Sequence, residues 1–163
     1  MVNRHRPHVL VLPEDDANRQ LANGFVLSPR LRTRNVQILE EVGGWLEVLN
    51  RFKSDQIEGM QRYPSRLMIL LIDFDQDTNR LTTAKAAVPE NLAERVFILG
   101  TFSEPEALKK DGLGSYETIG RALADDCYEG TDKTWSHPLL KHNNHELNRL
   151  RDPVYPILFN GAH

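Results

Sequence analysis

The chain is short of most features that would place it at a glance. Its 163 residues include one cysteine, Cys127, which excludes an intramolecular disulfide and a cysteine-rich zinc site. No apolar run approaches the roughly 18–20 residues of a membrane span. Residues 1–8, MVNRHRPH, lack the long apolar stretch of a secretory signal. A cytoplasmic protein with no membrane partner is the expectation. An excess of one charge is missing too. Twenty Lys+Arg against 23 Asp+Glu leave a net −3, so there is neither a broad basic field nor an acidic tail. What remains is ordinary globular composition, 40% hydrophobic and 26% charged, in 18.7 kDa. That is enough apolar mass for one core without staples. With no repeat, low-complexity stretch or linker, residues 1–163 read as a single domain.

Charge is nevertheless unevenly placed. Residues 67–132 hold 6 basic and 13 acidic side chains, whereas residues 1–66 hold 10 and 8. The acidic middle third is where a cation site or a solvated face would lie.

Apolar patterning alternates between two kinds. Val9-Leu10-Val11-Leu12, Val36-Gln37-Ile38-Leu39, Leu67-Met68-Ile69-Leu70-Leu71-Ile72 and Val96-Phe97-Ile98-Leu99 are short, near-continuous runs, as expected of strands buried on both faces. Between them lie helical stretches. Asp15 or Asp16 can cap a helix over about 17–25. Trp45, Val48, Leu49 and Phe52 follow an i, i+3, i+4, i+7 stripe that Met60 can extend. A weaker pattern covers 83–94, broken at Pro89. Ser103-Glu104-Pro105-Glu106 reads as a helix start with a serine cap, and Ser115 as the cap of a helix reaching about Cys127. A last helix spans about 138–150. The order β-α-β-α-β-α-β predicts a doubly wound α/β fold: a mainly parallel four-stranded sheet with helices on both faces.

Ligands of open α/β sheets bind outside the carboxyl ends of the strands, where strand order reverses. Two predicted strands end in acids there: Glu14-Asp15-Asp16 after the first, and Asp73-Phe74-Asp75, with Asp77 beyond, after the third. If those strands are neighbours, the clusters face one crevice. Crowded carboxylates repel, and a divalent cation relieves the repulsion. Oxygen-only ligands suit Mg²⁺ or Mn²⁺ rather than zinc. Helix capping is the competing use of Asp15 and Asp16.

These residues resemble the Toprim domain of topoisomerases, primases and the nucleases linked to overcoming-lysogenization-type ATPases. Val9-Leu10-Val11-Leu12-Pro13-Glu14-Asp15-Asp16-Ala17 is similar to its first motif and Ile72-Asp73-Phe74-Asp75 to its second, over roughly residues 8–100. The resemblance implies a Mg²⁺- or Mn²⁺-dependent nuclease or phosphodiesterase acting on DNA or RNA. Glu14 would be its catalytic acid/base, and Asp73, Asp75 and Asp16 its metal residues. It also implies an ATPase protein partner and a role in phage defence. The first motif departs from the family, whose catalytic Glu ends the strand and is followed by Gly. Placing Glu14 there puts Asp15 at the Gly. Aligning Asp15-Asp16 with the family's later acid puts Leu12 at the Glu, which would leave a catalytically inactive, Toprim-like interaction subunit.

The same residues resemble the start of a response-regulator receiver, with Asp73 as phosphoacceptor and Thr101 as switch hydroxyl. Against this, no fifth strand ending in Lys-Pro is visible. Other features carry less. His142 and His145, with His137 upstream, fall at i, i+3 rather than in a zinc-protease spacing and read as a polar helix. Cys127 follows two aspartates and reads as a buried structural thiol. Arg30, Arg32 and Arg34, with Arg4 and Arg6, are candidate phosphate contacts or simply solvated loops. Glu104 lies near the fourth strand's end, within reach of the crevice.

Overall fold

The structure, a computed structural model, describes residues 1–160. Its centre is a four-stranded, wholly parallel sheet in the order β2-β1-β3-β4. The strands are β1 (His8–Pro13), β2 (Val36–Ile38), β3 (Arg66–Leu71) and β4 (Val96–Leu99). The expected doubly wound α/β architecture is what the chain adopts.

β1, β3 and β4 carry apolar side chains on both faces because both faces are covered, whereas the edge strand β2 is only half-buried and includes Gln37. Val9, Leu67, Phe97 and Leu99 pack on one side with Leu21, Leu108, Ile119, Leu123, Leu150 and Leu158. These partners belong to α1 (Asp16–Val26), α5 (Pro105–Lys110), α6 (Tyr116–Glu129), α7 (Asn144–Arg151) and α8 (Tyr155–Leu158). Leu10, Leu12, Met68, Leu70, Ile72, Val96 and Ile98 face the other side, against Val48, Leu49, Phe52, Met60, Ala84 and Leu92. That layer is built by α2 (Trp45–Arg51), α3 (Ile57–Arg62) and α4 (Asn79–Ala86).

Several element ends differ from the sequence reading. The stripe from Trp45 to Met60 is not one regular helix. A π-helical turn over Phe52–Gln56 joins α2 to α3, and the wider turn lets Phe52 and Met60 both stay fully buried. Pro89 does break the 83–94 stretch, leaving α4 and a 3-10 turn over Glu90–Arg95. The N-cap position of α5 is Glu104, which makes no side-chain cap hydrogen bond, so Ser103 does not cap it. By contrast, Ser115 caps α6 by accepting from the Thr118 N–H. The last predicted helix begins only at Asn144, after a 3-10 turn over Lys141–Asn143.

Two further contacts fix the frame around the crevice. Helices α1 and α6 cross backbone to backbone. A methyl group on Gly24 would overlap Glu117, and one on Gly120 would overlap Leu21. The outer edge of β4, with no fifth strand among the described residues, is finished by side chains of the C-terminal segment. Glu146 Oε2 accepts the Ile98 N–H at 2.9 Å, and Asn143 both accepts the Gly100 N–H and donates to the Gly100 carbonyl. Edge groups that would otherwise stay unpaired are satisfied in this way. No helix among the described residues is long and apolar enough to cross a membrane.

Candidate metal centre at the switch point

Chain order leaves β1 towards β2 on one side and returns to β3 on the other, so the switch point lies between β1 and β3. These two strands are paired through Pro13 and Leu71, and the Glu14 N–H extends the pairing to the Leu71 carbonyl at 2.9 Å. The acids that follow each strand therefore meet. Glu14, Asp15 and Asp73 each bring a carboxylate oxygen within 4.8 Å of the others.

Glu14 is only 6% exposed and accepts the Asp73 N–H at 3.2 Å. Leu12, the competing residue for the family's Glu position, is buried in the α2/α3 layer of the core. Asp15 caps α1. Its Oδ1 accepts the Asn18 N–H and the Asn18 side-chain amide, each at 2.9 Å. The same amide nitrogen donates to Asp73 Oδ1 at 2.8 Å. Fully buried Asn18 thus ties the first acidic turn to the second. Sequence reading missed it; the available signal was its position three residues after a capping Asp, where a side chain folds back over the cap.

Not every predicted ligand joins the group. Asp16 points outward and pairs with Arg19 and Gln20. Asp75 is 78% exposed. Asp75 and Gln76 adopt left-handed backbone angles, φ 48° and 57°, because the loops after β3 and β4 zip together. The Asp75 and Gln76 N–H groups bond Ser103 and Phe102 carbonyls. That turn aims Asp75 at Arg80, 3.4 Å away. Arg80 also donates to the Asp73 carbonyl at 2.8 Å and stacks over Trp45. Glu104 is exposed and outside the group.

Electrostatics follow from burial. Removal from water pushes the Asp73 carboxyl up to about 8. Asn18 opposes the rise, and Glu14 adds to it through a shared hydrogen bond and its charge. Burial raises Glu14 as well, against the stabilising hydrogen bonds from Asp73. Two adjacent buried carboxyls disfavour joint ionisation. The donor set fits a small hard cation: three carboxylates, no thiolate or imidazole, at a strand-end crevice. Such an ion would offset the repulsion and favour the ionised carboxylates.

The remaining candidates lie outside the carboxylate group. His142 packs its ring against Phe74 and Phe102, His145 is exposed, and His137 pairs with Asp111. Buried Cys127 has its thiol pushed up to about 11 by desolvation. Arg30 stacks on Tyr128, and Arg32 binds Asn160. Thr101 lies just past β4, after Gly100, and is 1% exposed. Comparison of the chain with family models, with curated proteins and with solved structures finds no match.

Proposed function

We propose that the protein is a Toprim-like phosphodiesterase that acts on nucleic acid with the help of Mg²⁺ or Mn²⁺. The observation that carries this reading is the convergence of Glu14, Asp15 and Asp73 at the β1/β3 switch point. Asp73 and Asp15 would hold the ion, with Glu14 completing the group. When bound, a divalent ion supplies positive charge against the developing charge of a phosphoryl centre. Glu14 would move a proton at its carboxylate. Burial raises its pKa above the ordinary Glu value when no ion is bound, which favours its taking up a proton. Arg80, held by the Asp73 carbonyl and Trp45, braces the turn from behind. An ATPase partner and a role in phage defence rest on the family resemblance alone. Hydrolysis of single- and double-stranded DNA and RNA, measured with Mg²⁺ or Mn²⁺, tests the reading. Turnover in the wild type that vanishes in Asp73→Ala supports it, and equal activity in the two contradicts it.

A receiver-like reading is favoured by one observation, the placement of Thr101 at the end of β4 beside the Asp73 turn, where the Phe74 N–H bonds the Thr101 carbonyl at 3.0 Å. It loses support at the outer edge of β4. There Glu146 and Asn143 occupy the backbone groups that a lysine-bearing fifth strand would pair with. Acetyl phosphate treatment and intact-mass measurement separate the readings, since only a receiver gains one phosphoryl group on Asp73.

A further inference from the structure

The opposite end of the sheet holds a polar cavity of about 390 Å³, bordered by the N-terminal segment, β1, β2 and α3. Arg4, Arg62, Arg66 and Tyr63 line it, with Gln37 and Gly59. Arg66 is the unusual member. It is 92% removed from solvent, being only 8% exposed, and no carboxylate among the described residues pairs with it. Buried guanidinium groups normally have an anionic partner, because desolvation is costly otherwise.

Its pose is fixed by the surroundings. The His8 Nδ1–H donates to the Arg6 carbonyl at 2.7 Å, which leaves Nε2 to accept from Arg66 Nε–H at 2.9 Å. Burial lowers the His8 pKa and keeps the ring neutral, as this acceptor role requires. Tyr63 stacks on the guanidinium, 5.0 Å from ring centre to Cζ. Gly59 leaves the room it needs, since a methyl there would lie 2.6 Å from Nη1. The histidine thus takes Nε, and the two terminal nitrogens remain for a ligand. Arg4, 5.8 Å from the same ring, and Arg62 add positive charge at the mouth. The neighbouring Arg4 and Arg62 guanidinium groups lower the Tyr63 pKa, as positive potential there would. Two acids also line the rim: Glu58 pairs with Arg62 at 2.9 Å and offsets its charge, and Asp55 lies 3.9 Å from Arg51.

We propose that this cavity binds a phosphate group, free or as a phosphate ester, with Arg66 as the central donor and Arg4 and Arg62 at the entrance. Two terminal N–H groups in a fixed fork match phosphate oxygens bidentately. Arg66 and Arg4 have no carboxylate partner among the described residues, and two such cations beside one cavity suit an anion of high charge density. The site lies at the far end of β1 and β3 from the acidic cluster, and the inference does not depend on the proposed hydrolysis.

Titration calorimetry of the whole chain with inorganic phosphate and with a nucleoside monophosphate, against chloride at matched ionic strength, tests it. Saturable binding of either probe is expected, about tenfold or more weaker in Arg66→Met and unchanged in Asp73→Asn. Tighter binding of the monophosphate would identify an ester as the ligand, and equal binding would identify the bare anion. If Arg66→Met fails to fold, the exposed pair Arg4→Ala and Arg62→Ala must weaken binding in the same sense. No binding to the wild type at millimolar probe, or equal binding in all variants, overturns the proposal.

Discussion

One amide nitrogen of Asn18 lies 2.8 Å from an Asp73 carboxylate oxygen and 2.9 Å from an Asp15 oxygen. A residue on the first turn of α1 therefore closes a bridge between two acidic turns 55 or more positions apart in the chain. Asn18→Leu removes the bridge while keeping much of the volume. It should destabilise the protein by about 1–3 kcal/mol, the usual cost of leaving buried polar partners unmet, and should weaken cation binding. Chemical denaturation with and without Mn²⁺ measures both.

Asp73→Asn should act in the opposite direction on stability. It removes a carboxyl that burial and Glu14 make costly to ionise, yet it keeps an oxygen for the Asn18 amide. Without divalent ions the variant is expected to melt above the wild type at pH 8, by about 2–4 °C for each kcal/mol gained. It should also lose any stabilisation by Mn²⁺. A lower melting temperature than wild type under those conditions would contradict the electrostatic account.

Stability against pH follows from two carboxyls shifted in opposite directions. Asp73 has a folded pKa of about 8 against an ordinary value of 3.8. Its contribution is complete below the ordinary value and is lost as pH rises through about 8. For Glu146, burial pushes upward, but the Ile98 N–H and the Arg149 guanidinium outweigh it and hold the group low. Its contribution is present above the ordinary Glu range and is lost on acidification. Melting in EDTA should therefore peak at mildly acid pH and fall towards pH 8, and Mn²⁺ should flatten the fall. A melting temperature that rises steadily from pH 5 to 8 in EDTA would count against it.

The edge of β4 offers a further test. Glu146→Ala removes the acceptor of the Ile98 N–H and leaves Arg149 and Lys85 without their shared carboxylate. A loss of about 2–4 kcal/mol is expected, with a smaller one for Glu146→Gln, because a buried pair broken on one side costs more than the pair contributes. Urea unfolding of the two variants measures the difference.

Asp16→Asn and Asp75→Asn should leave cation binding within about twofold of wild type, a difference below 1 kcal/mol. Their side chains face Arg19 and Arg80 rather than the cluster. Calorimetric titration with Mn²⁺ checks both.

The sheet was readable because strands covered on two faces leave continuous apolar runs, and all four runs became the four strands. The meeting of Glu14 with Asp73 was readable only as a condition, since adjacency of β1 and β3 depends on tertiary order that apolar pattern does not carry. Which acids would point inward was less accessible still. Asp75 is turned out by left-handed backbone at Asp75 and Gln76, which the loop after β4 imposes through long-range hydrogen bonds. Asp15 joins the cluster while acting as a cap, two uses that sequence reading treated as competing. The π-helical turn at Phe52–Gln56 had no sequence signal because the apolar stripe stays in phase with one face across it. Arg66 escaped notice since a lone arginine at a strand start carries no pattern. Only the fold reveals that it is buried without an acid.

The central claim, that Glu14, Asp15 and Asp73 form one cation site, is tested most directly by Mn²⁺ titration followed by electron paramagnetic resonance. The account predicts one bound Mn²⁺ per wild-type chain at pH 8, with binding lost in Asp73→Asn and in Glu14→Gln while Asp75→Asn retains it. Wild-type protein that binds no Mn²⁺, or the same occupancy in Asp73→Asn and Glu14→Gln, would contradict it.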